Sequence, residues 1–288
     1  MISVTSGSVV TATKGGKSVT GTAVDGVCVL VVPEAGVWTV SATLGGKTTP
    51  AQTVTVKSQW EAALEYGTPL GELAVGSSVF TNVGGVRTEF LVVQQGKPSD
   101  IYDDSCDGTW LLMKDCYSDS HMWGTSEEDN TLESSYLQNY LNSTVLGAFD
   151  SGFQSLVSQV KIPYRQGGGN GSSKSGADGL TTKVFFLSLS EIGVTNVTSM
   201  PEAGAKLDYF ESGATTSANR KRIAYMDGTA KTWWTRSPQA NNFYYVWFVK
   251  ANGDRNTSRP TESKGVRPAI ILPSDTFADL DSNIVIPA

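Results

Sequence analysis

The sequence has few of the residues that build metal sites and nucleophilic centres. It contains a single histidine, His121, so a metal site with several histidine ligands is excluded. A Ser-His-Asp triad would need His121, and no serine lies in a nucleophile-elbow motif. The three cysteines, Cys28, Cys106 and Cys116, are an odd number without the paired spacing of a zinc site. We therefore expect three reduced thiols, no metal and no catalytic centre, with a Cys106–Cys116 disulfide left open as the alternative.

Long apolar runs and clusters of positive charge are also missing. The longest apolar runs, such as 27–32, are far too short to span a bilayer, so we expect no membrane insertion. The N-terminus lacks the basic start and apolar segment of a secretion signal. With 22 Lys and Arg against 28 Asp and Glu, the net charge is -6. Nucleic acid is therefore not an expected partner, because its binding depends on neutralising phosphates.

Two segments resemble ligand-binding motifs without completing them. Asp103, Ser105 and Asp107 match the start of an EF-hand calcium loop, but the twelfth position is Lys114, where a glutamate is required. The run 169–175 contains the glycines and the lysine of a phosphate loop, but the Gly-Lys-Ser adjacency fails. We expect no calcium, no nucleotide and no other cofactor.

Short alternating runs over residues 1–57 predict an all-β module. The predicted strands are 9–13, 18–23, 27–31, 37–44 and 53–56. Their regular spacing indicates a small sandwich with Val29, Val31, Trp38 and Val40 in its core. The pattern resembles the immunoglobulin-like modules of phage tail and bacterial surface proteins, which implies a spacer role.

Residues 58–70 are predicted to form a linker with a short helical turn around 60–66, and 71–288 a mixed domain, so the overall fold class is α+β. The predicted strands of this domain are 79–82, 87–94, 110–115 and 184–189. Apolar residues at helical spacing predict one helix over 132–141 and a second helix beginning after Asp150. The remaining segments are predicted as a flexible loop over 166–179, an irregular surface segment over 195–227 and a tail over 275–288.

The segment 239–263 has the composition of a binding surface. It holds four asparagines and five aromatic residues in twenty-five positions. Burying so many amides would be costly, and so many rings argue against disorder. Rigid aromatic residues beside Asn and Ser are typical of binding loops. The alternative is an ordinary loop packed on itself, since strand alternation must send some of these rings inward.

Segments that read as buried strands flank this segment. Trp233 and Trp234 are expected to be structural, and the nearby arginines Arg236 and Arg267 are expected to pair with buried carbonyls or carboxylates. Four runs in the order TWLLMKD, KVFFLS, WWTRSP and GVRPAI resemble a group of uncharacterised domains of gut bacteria and their prophages. That group is related to the C-type-lectin-like variable proteins of diversity-generating retroelements.

The resemblance implies a C-type-lectin-like fold of the formylglycine-generating-enzyme subtype, covering about 71–275. Formylglycine-generating enzymes use two cysteines near the C-terminal end, and the C-terminal half here has none. The resemblance also implies a diversified ligand-binding face inside 239–263. The positions carried over are Asn241, Asn242, Phe243, Tyr244, Tyr245, Phe248, Lys250, Asn252, Asp254, Arg255, Asn256, Ser258 and Arg259.

The expected function is therefore non-enzymatic binding. The resemblance implies a phage-tail receptor-binding or hypervariable display protein, folded in the host cytoplasm and carried on the virion. Its partners would be a bacterial-surface protein or glycan and other virion proteins. The alternative is a host bacterial surface adhesin or lectin. A nearby reverse-transcriptase gene with a template repeat favours the first, and an anchoring signal in the full gene favours the second.

Changing Tyr244, Asn252 and Asn256 together should leave the melting temperature nearly unchanged while altering target binding, because the three side chains are predicted to face solvent. Thermal unfolding followed by circular dichroism measures the first effect. A large loss of stability would place these side chains in the core.

Overall fold

The computed structural model describes residues 4–117, 120–195, 197–199 and 203–287. The chain separates into two compact units, Met1–Tyr66 and Gly67–Pro287, which we call the N-terminal and C-terminal units. Both consist mostly of β-strands with a few short helices, which is compatible with an α+β or a β-rich class. Among the described residues, no helix has the length and apolar character needed to cross a bilayer.

The N-terminal unit is built on one antiparallel sheet. Its strands are β1 (Val9–Lys14), β2 (Lys17–Thr22), β3 (Gly36–Leu44), β4 (Lys47–Thr48) and β5 (Gln52–Val56), followed by helix α1 (Gln59–Tyr66). The order is β2-β1-β3, with β4 and β5 both pairing with β3. Gly15 and Gly16 connect β1 to β2 with φ of 52° and 82°. A two-residue hairpin turn with positive φ at both positions favours glycine, as the sequence has it.

The predicted sandwich is wrong for the described part of the N-terminal unit, because residues 27–31 form no strand and no second sheet is present there. Trp38 is buried as predicted, but Val29 and Val31 are 82% and 85% exposed, and Val40 is only half-buried. The segment alternates in the opposite sense, with Cys28 and its even-numbered neighbours turned toward the sheet. A shift of one residue exchanges the two faces of an extended chain, which explains the reversed burial.

The C-terminal unit contains seventeen described strands and three short helices. The strands are β6 (Thr68–Pro69), β7 (Ser78–Val83), β8 (Val86–Gln95), β9 (Thr109–Met113), β10 (Ser120–Met122), β11 (Val160–Ile162), β12 (Tyr164–Gln166), β13 (Ser172–Lys174), β14 (Leu180–Thr182), β15 (Ala224–Met226), β16 (Thr229–Lys231), β17 (Trp233–Pro238), β18 (Val246–Val249), β19 (Arg255–Ser258), β20 (Ser263–Gly265), β21 (Ala269–Leu272) and β22 (Phe277–Ala278). The helices are α2 (Tyr136–Tyr140), which a π-helical turn (Leu141–Val145) extends, α3 (Ser151–Leu156) and α4 (Thr216–Arg222).

Two sheets organise this unit. The first has the order β21-β9-β8-β7 and is antiparallel throughout. Its strands place Val92 and Leu111 in one apolar cluster, and Val93 and Leu112 in another on the opposite face. Because both faces are covered, these strands read in the sequence as nearly continuous apolar runs. The second sheet has the order β10-β20-β17-β18-β19 and carries the segment 239–263.

Arg236 of strand β17 forms a buried ion pair with Glu191. Arg236 and Glu191 are both fully buried, and the guanidinium contacts the carboxylate through both terminal nitrogens. Tyr102 Oη donates to Glu191 Oε1 at 2.7 Å, and the Ser188 amide donates to Oε2 at 2.8 Å. The remaining guanidinium N–H groups donate to the carbonyls of Pro163, Phe186 and Ala203. Burial alone would lower the pKa of Arg236, but Glu191 raises it above its usual value.

All four predicted structural residues are confirmed, Arg236 by the ion pair just described. Trp233 and Trp234 are fully buried on opposite sides of β17, in different apolar clusters. Arg267 is also buried and donates to the carbonyls of Met113 at 2.9 Å and Lys114 at 2.8 Å. Burial lowers the pKa of Arg267 to about 10, so this arginine remains charged at neutral pH.

Several segments predicted to be irregular are structured. The predicted tail contributes β22 and the buried residues Ile284 and Val285. The predicted linker contains the expected short helical turn, as α1, and it also contains strand β6, which pairs with β22. The predicted loop 166–179 contains strand β13, which pairs with β12, and 195–227 contains α4 in its described part. Conversely, the predicted strand 184–189 is buried but makes only one β-bridge, from Phe185 to Ala269. The pairing of β6 with β22 and the bridge from Phe185 to Ala269 join residues far apart in the sequence, so local patterns could not predict them.

Replacing Glu191 by Gln should destabilise the protein by about 3–5 kcal/mol, because it leaves the buried charge of Arg236 without a counterion. Urea unfolding followed by tryptophan fluorescence measures this loss. D104N is the matched control, since Asp104 pairs with Lys97 at the surface, and it should unfold like the wild type. Equal midpoints for the two variants would contradict the structural role of the pair.

Candidate functional site

Most of the predicted binding residues lie at the two ends of one hairpin, and the others lie on its strands. Strands β18 and β19 pair from Val246 opposite Ser258 to Val249 opposite Arg255. Residues 241–245 and Arg259 lie at one end, and residues 250–254 at the other. The length of a four-residue strand, about 10 Å, separates the two groups. The structure therefore divides the predicted face into two patches.

Aromatic rings and an ion pair form the first patch. The rings of Phe243 and Tyr244 pack together with their centroids 4.2 Å apart. The Arg259 guanidinium lies 5.8 Å from the ring centroid of Tyr244 and 5.9 Å from that of Tyr245. Arg259 Nη1 also donates to Glu127 Oε2 at 2.7 Å. Phe243 is 39% exposed, Tyr244 and Tyr245 are partly exposed, and we call these five residues the aromatic–arginine surface.

The buried side chain of Asn130 holds the loop that carries these rings. Its Nδ2 donates to the carbonyls of Asn242 at 2.9 Å and Tyr245 at 2.8 Å. Its Oδ1 accepts from the Gly169 amide at 2.9 Å. Asn130 is 1% exposed, so each of these bonds is protected from water. One amide therefore connects the loop 239–245 to the neighbouring turn 167–171.

Gly169 allows the two loops to approach closely. A Cβ at this position would overlap the main-chain carbonyl oxygens of Gln239 and Asn242, which no side-chain movement can relieve. The Gly169 carbonyl also accepts from the Asn241 amide at 2.8 Å. Asn241 itself has φ of 59°, a left-handed conformation that asparagine tolerates better than most residues.

Three asparagines of the predicted face accept hydrogen bonds from nearby main-chain amides. Asn242 Oδ1 accepts from the Tyr244 amide at 2.7 Å, forming an Asx turn that sets the direction of the aromatic residues. At the other end of the hairpin, Asn252 Oδ1 accepts from the Asp254 amide at 3.1 Å. On the edge strand, Asn256 is exposed, and its Oδ1 accepts from the Thr257 amide at 3.0 Å.

Charged groups form the second patch. Lys250 Nζ lies 3.2 Å from Asp254 Oδ2, and Arg255 Nη1 lies 2.8 Å from Asp254 Oδ1. Although partial burial raises the pKa of Asp254, hydrogen bonds from Arg255 and Lys250 outweigh it and lower the pKa to about 2. At the adjacent Gly253, φ is 82° and the chain passes against the Asn219 carbonyl of α4. The turn 250–254 therefore packs against α4. Its cation Lys250 and the neighbouring Arg255 are both paired with Asp254.

Two residues of the predicted binding face are buried. Phe248 is 8% exposed, and Ser258 is also buried. The Phe248 ring packs edge-on against Trp234 with centroids 6.1 Å apart, and Lys264 Nζ lies 4.2 Å above it. Strand β18 lies between β17 and β19 with both faces covered, so alternation along it does not send every second residue to solvent. The predictions that Phe248 and Ser258 face outward were wrong.

Most of the C-terminal unit matches one known family. Residues 107–274 match the family model described as "Domain of unknown function (DUF6273)", which is more than half of the chain. The chain belongs to the DUF6273 family. No curated protein and no solved structure matches it. The matched region of the DUF6273 domain begins just before β9 and ends after β21, and it contains all five residues of the aromatic–arginine surface.

Sequence reasoning missed three residues of the candidate site. Glu127, Asn130 and Gly169 are far from 239–263 in the chain, and the tertiary structure alone brings them together. The turn 167–171 looked like a flexible loop because of its glycines. Its glycines instead permit close packing, which composition cannot distinguish from flexibility.

The sequence assigned the three cysteines and His121 to no site, and the structure shows what surrounds them. Cys28, Cys106 and Cys116 are free thiols, so the disulfide alternative is wrong. Burial raises the pKa of Cys106 to about 12 and that of Cys116 to about 11, which keeps both thiols protonated at neutral pH. His121 lies on strand β10, and its ring centroid is 3.9 Å from that of Tyr140. Within the described residues, no group of His, Cys, Asp and Glu is arranged to hold a metal.

Replacing Asn130 by Ala should loosen both loops, because the Gly169 amide and two carbonyls lose their partner at about 1–3 kcal/mol for each buried group. Hydrogen exchange should accelerate in 167–171 and 239–245 and stay unchanged in β9. N256A is the matched control, because it removes an exposed asparagine. Unchanged exchange in both loops of N130A would show that Asn130 does not hold them.

Proposed function

We propose that this DUF6273 protein is a non-enzymatic binding protein that recognises a bacterial-surface protein or glycan through the aromatic–arginine surface. The observation that carries the proposal is the grouping of three adjacent aromatic rings, all at least partly exposed, beside an arginine paired with Glu127. Aromatic residues and arginine are enriched at recognition surfaces, because they bury a large area around a few directional polar contacts.

The rigidity of the loop supports this proposal. Asn130 and Gly169 connect the loop to a neighbouring turn, so the rings are held in place before any partner arrives. Binding by a pre-organised loop costs less conformational entropy than binding by a mobile one. Each aromatic side chain has only two rotatable bonds, which reduces the cost further.

The second patch has a lesser part in the proposal. Lys250 and Arg255 are already paired with Asp254, so a ligand would have to compete with that carboxylate for them. We assign Asn252, Asn256 and these charges to the polar surroundings of the site, where they would influence specificity and association rate more than affinity.

We further propose that the C-terminal unit has a C-type-lectin-like fold. In support, the first and last strands of the unit, β6 and β22, pair with each other, and the closing strand β21 pairs with β9. The resemblance of the sequence motifs implies display on a phage tail, where other virion proteins and many copies would raise weak single-site affinity. A host surface adhesin is the alternative setting, and the N-terminal unit would act as a spacer in either one.

Replacing Tyr244 by Ala should weaken binding at least about tenfold, because a central aromatic contact contributes about 2 kcal/mol or more. The measurement is the binding of fluorescently labelled protein to a glycan array and to intact cells of gut bacteria. Y225A is the matched control, since Tyr225 is an exposed tyrosine in the separate hairpin β15–β16, and it should bind like the wild type.

Equal binding by the Y244A and Y225A variants, with unchanged melting temperatures, would show that the aromatic–arginine surface is not the site. Enzymatic turnover by the wild type, abolished by a substitution within 241–259, would overturn the non-enzymatic assignment.

A further inference from the structure

A cleft of about 650 Å³ lies between the first sheet of the C-terminal unit and the hairpin β15–β16. We call it the Arg267 cleft, and the lining residues used below are Leu91, Cys116, Tyr209, Ile223, Met226 and Arg267. Its volume is in the range of protein cavities that hold small organic ligands. The cleft shares no residue with the aromatic–arginine surface, so it is a separate candidate site.

Main-chain hydrogen bonds hold the walls of the Arg267 cleft in place. The Cys116 amide donates to the Tyr225 carbonyl at 2.8 Å, and the Tyr225 amide donates to Asp115 Oδ1 at 2.9 Å. The Tyr209 amide donates to the Val93 carbonyl at 3.1 Å. These bonds attach the hairpin β15–β16 and the chain around Tyr209 to the first sheet. The cleft is therefore formed before a ligand enters, which lowers the entropic cost of binding.

The side chain of Arg267 lines this cleft and is buried. Its Nε and Nη2 donate to the carbonyls of Met113 and Lys114, as described above. Its Nη1 lies 3.5 Å from the Arg222 carbonyl oxygen, at the limit of a hydrogen bond. The guanidinium also lies 5.1 Å from the ring centroid of Trp233. Its position is therefore fixed by groups that leave Nη1 only weakly bonded.

The hydrogen-bond acceptors of Arg267 among the described residues are main-chain carbonyls, which carry no net charge. The other buried arginine of this region, Arg236, instead has the carboxylate of Glu191 as a counterion. Burial lowers the pKa of Arg267 to about 10, as expected for a cation whose charge is not fully compensated. A ligand carboxylate would supply that compensation, and its hydrogen bonds to arginine would be charge-assisted.

Apolar side chains provide much of the remaining lining. Leu91 lies on β8, Ile223 directly precedes β15, and Met226 lies on β15. Tyr209 adds an aromatic ring, over which Lys221 Nζ lies 5.1 Å from the centroid. Ile223, Met226 and Tyr209 are each partly exposed. An apolar ligand body in the cleft would remove these side chains from water, which is favourable.

The other charges of the cleft limit the ligand to a single negative charge. Asp115 and Asp227 line the cleft together with Lys114 and Arg267, which gives two carboxylates and two cations. Arg267 is the only buried residue of these four, and Lys114 Nζ pairs with Glu89 Oε2 at 2.8 Å. A ligand with several negative charges would be repelled by both aspartates. One carboxylate can reach Arg267 at a smaller cost.

We propose that the Arg267 cleft binds a small organic acid. Its single carboxylate is held by the Arg267 guanidinium, and its apolar or aromatic body packs against Leu91, Ile223 and Met226. A mostly apolar lining with one fixed polar anchor is the usual composition of a small-molecule site. The ligand would also connect the hairpin β15–β16 to the first sheet more firmly, so its binding should raise the melting temperature.

Ligand-observed NMR titration of the full chain at pH 7 tests the proposal with phenylacetate, indole-3-acetate and 4-methylpentanoate. We expect at least one of these acids to bind with a dissociation constant of about 1 mM or lower, as good ligands of this size do. Its uncharged amide should bind at least about tenfold more weakly, because it cannot form a charge-assisted bond to arginine. Phenyl phosphate should bind more weakly than phenylacetate, because its second negative charge meets the aspartates.

Variants of the lining locate the binding site. Replacing Ile223 or Met226 by Trp should reduce the affinity at least about tenfold, because the larger ring occupies the space of the ligand body. V37W is the matched control, since it adds the same ring at an exposed valine of the N-terminal unit, and it should bind like the wild type. R267K should also weaken binding, because lysine keeps the charge but lacks the planar fork. Circular dichroism checks that each variant is folded.

The proposal is overturned when none of the three acids binds the wild type. Equal affinity for an acid and its amide would show that Arg267 does not recognise the ligand, and tighter binding of phenyl phosphate would contradict the single carboxylate. Undiminished binding by folded I223W and M226W would place the site elsewhere. These measurements are independent of the aromatic–arginine surface, which none of the variants changes.

Discussion

The carboxylate of Glu191 is the group on which the C-terminal unit depends most. It lies fully buried and accepts hydrogen bonds from Arg236, Tyr102 and the Ser188 amide. Tyr102 Oη in turn accepts from the Ala205 amide at 2.9 Å. A buried charge is tolerated only with such complete pairing. The requirement joins four separate segments of the chain and fixes β17, the strand that precedes the loop 239–245.

A second buried polar side chain with a complete set of hydrogen bonds lies beneath the aromatic–arginine surface. Asn130 provides an uncharged side chain whose donors and acceptor are all used on main-chain groups of two loops. A buried amide of this kind is costly when unsatisfied and directional when satisfied. The loop it holds can therefore present aromatic rings to solvent without collapsing onto them. A fixed support beneath an exposed apolar group is the arrangement that pre-organised recognition needs.

Extended segments of the two units differ in the pairing of their main-chain groups. In the C-terminal unit, strand β9 pairs on both sides and both of its faces are covered by apolar clusters. In the N-terminal unit, residues 28–32 alternate in burial like a strand, yet their main chain forms no hydrogen bond with any residue that the structure describes. The difference lies in hydrogen bonding rather than in side chains, since both segments are rich in apolar residues.

The amino-acid sequence by itself determined the elements whose signal is local. These include the hairpin at Gly15-Gly16, the buried strands β8 and β9, and the structural character of Trp233, Trp234 and Arg236. Only the tertiary structure decided which face of residues 27–31 turns inward, that Phe248 is buried and that Asn130 supports the loop 239–245. Periodicity and turn chemistry act over a few residues, whereas burial and hydrogen-bond partners depend on chain segments that folding brings together from far apart.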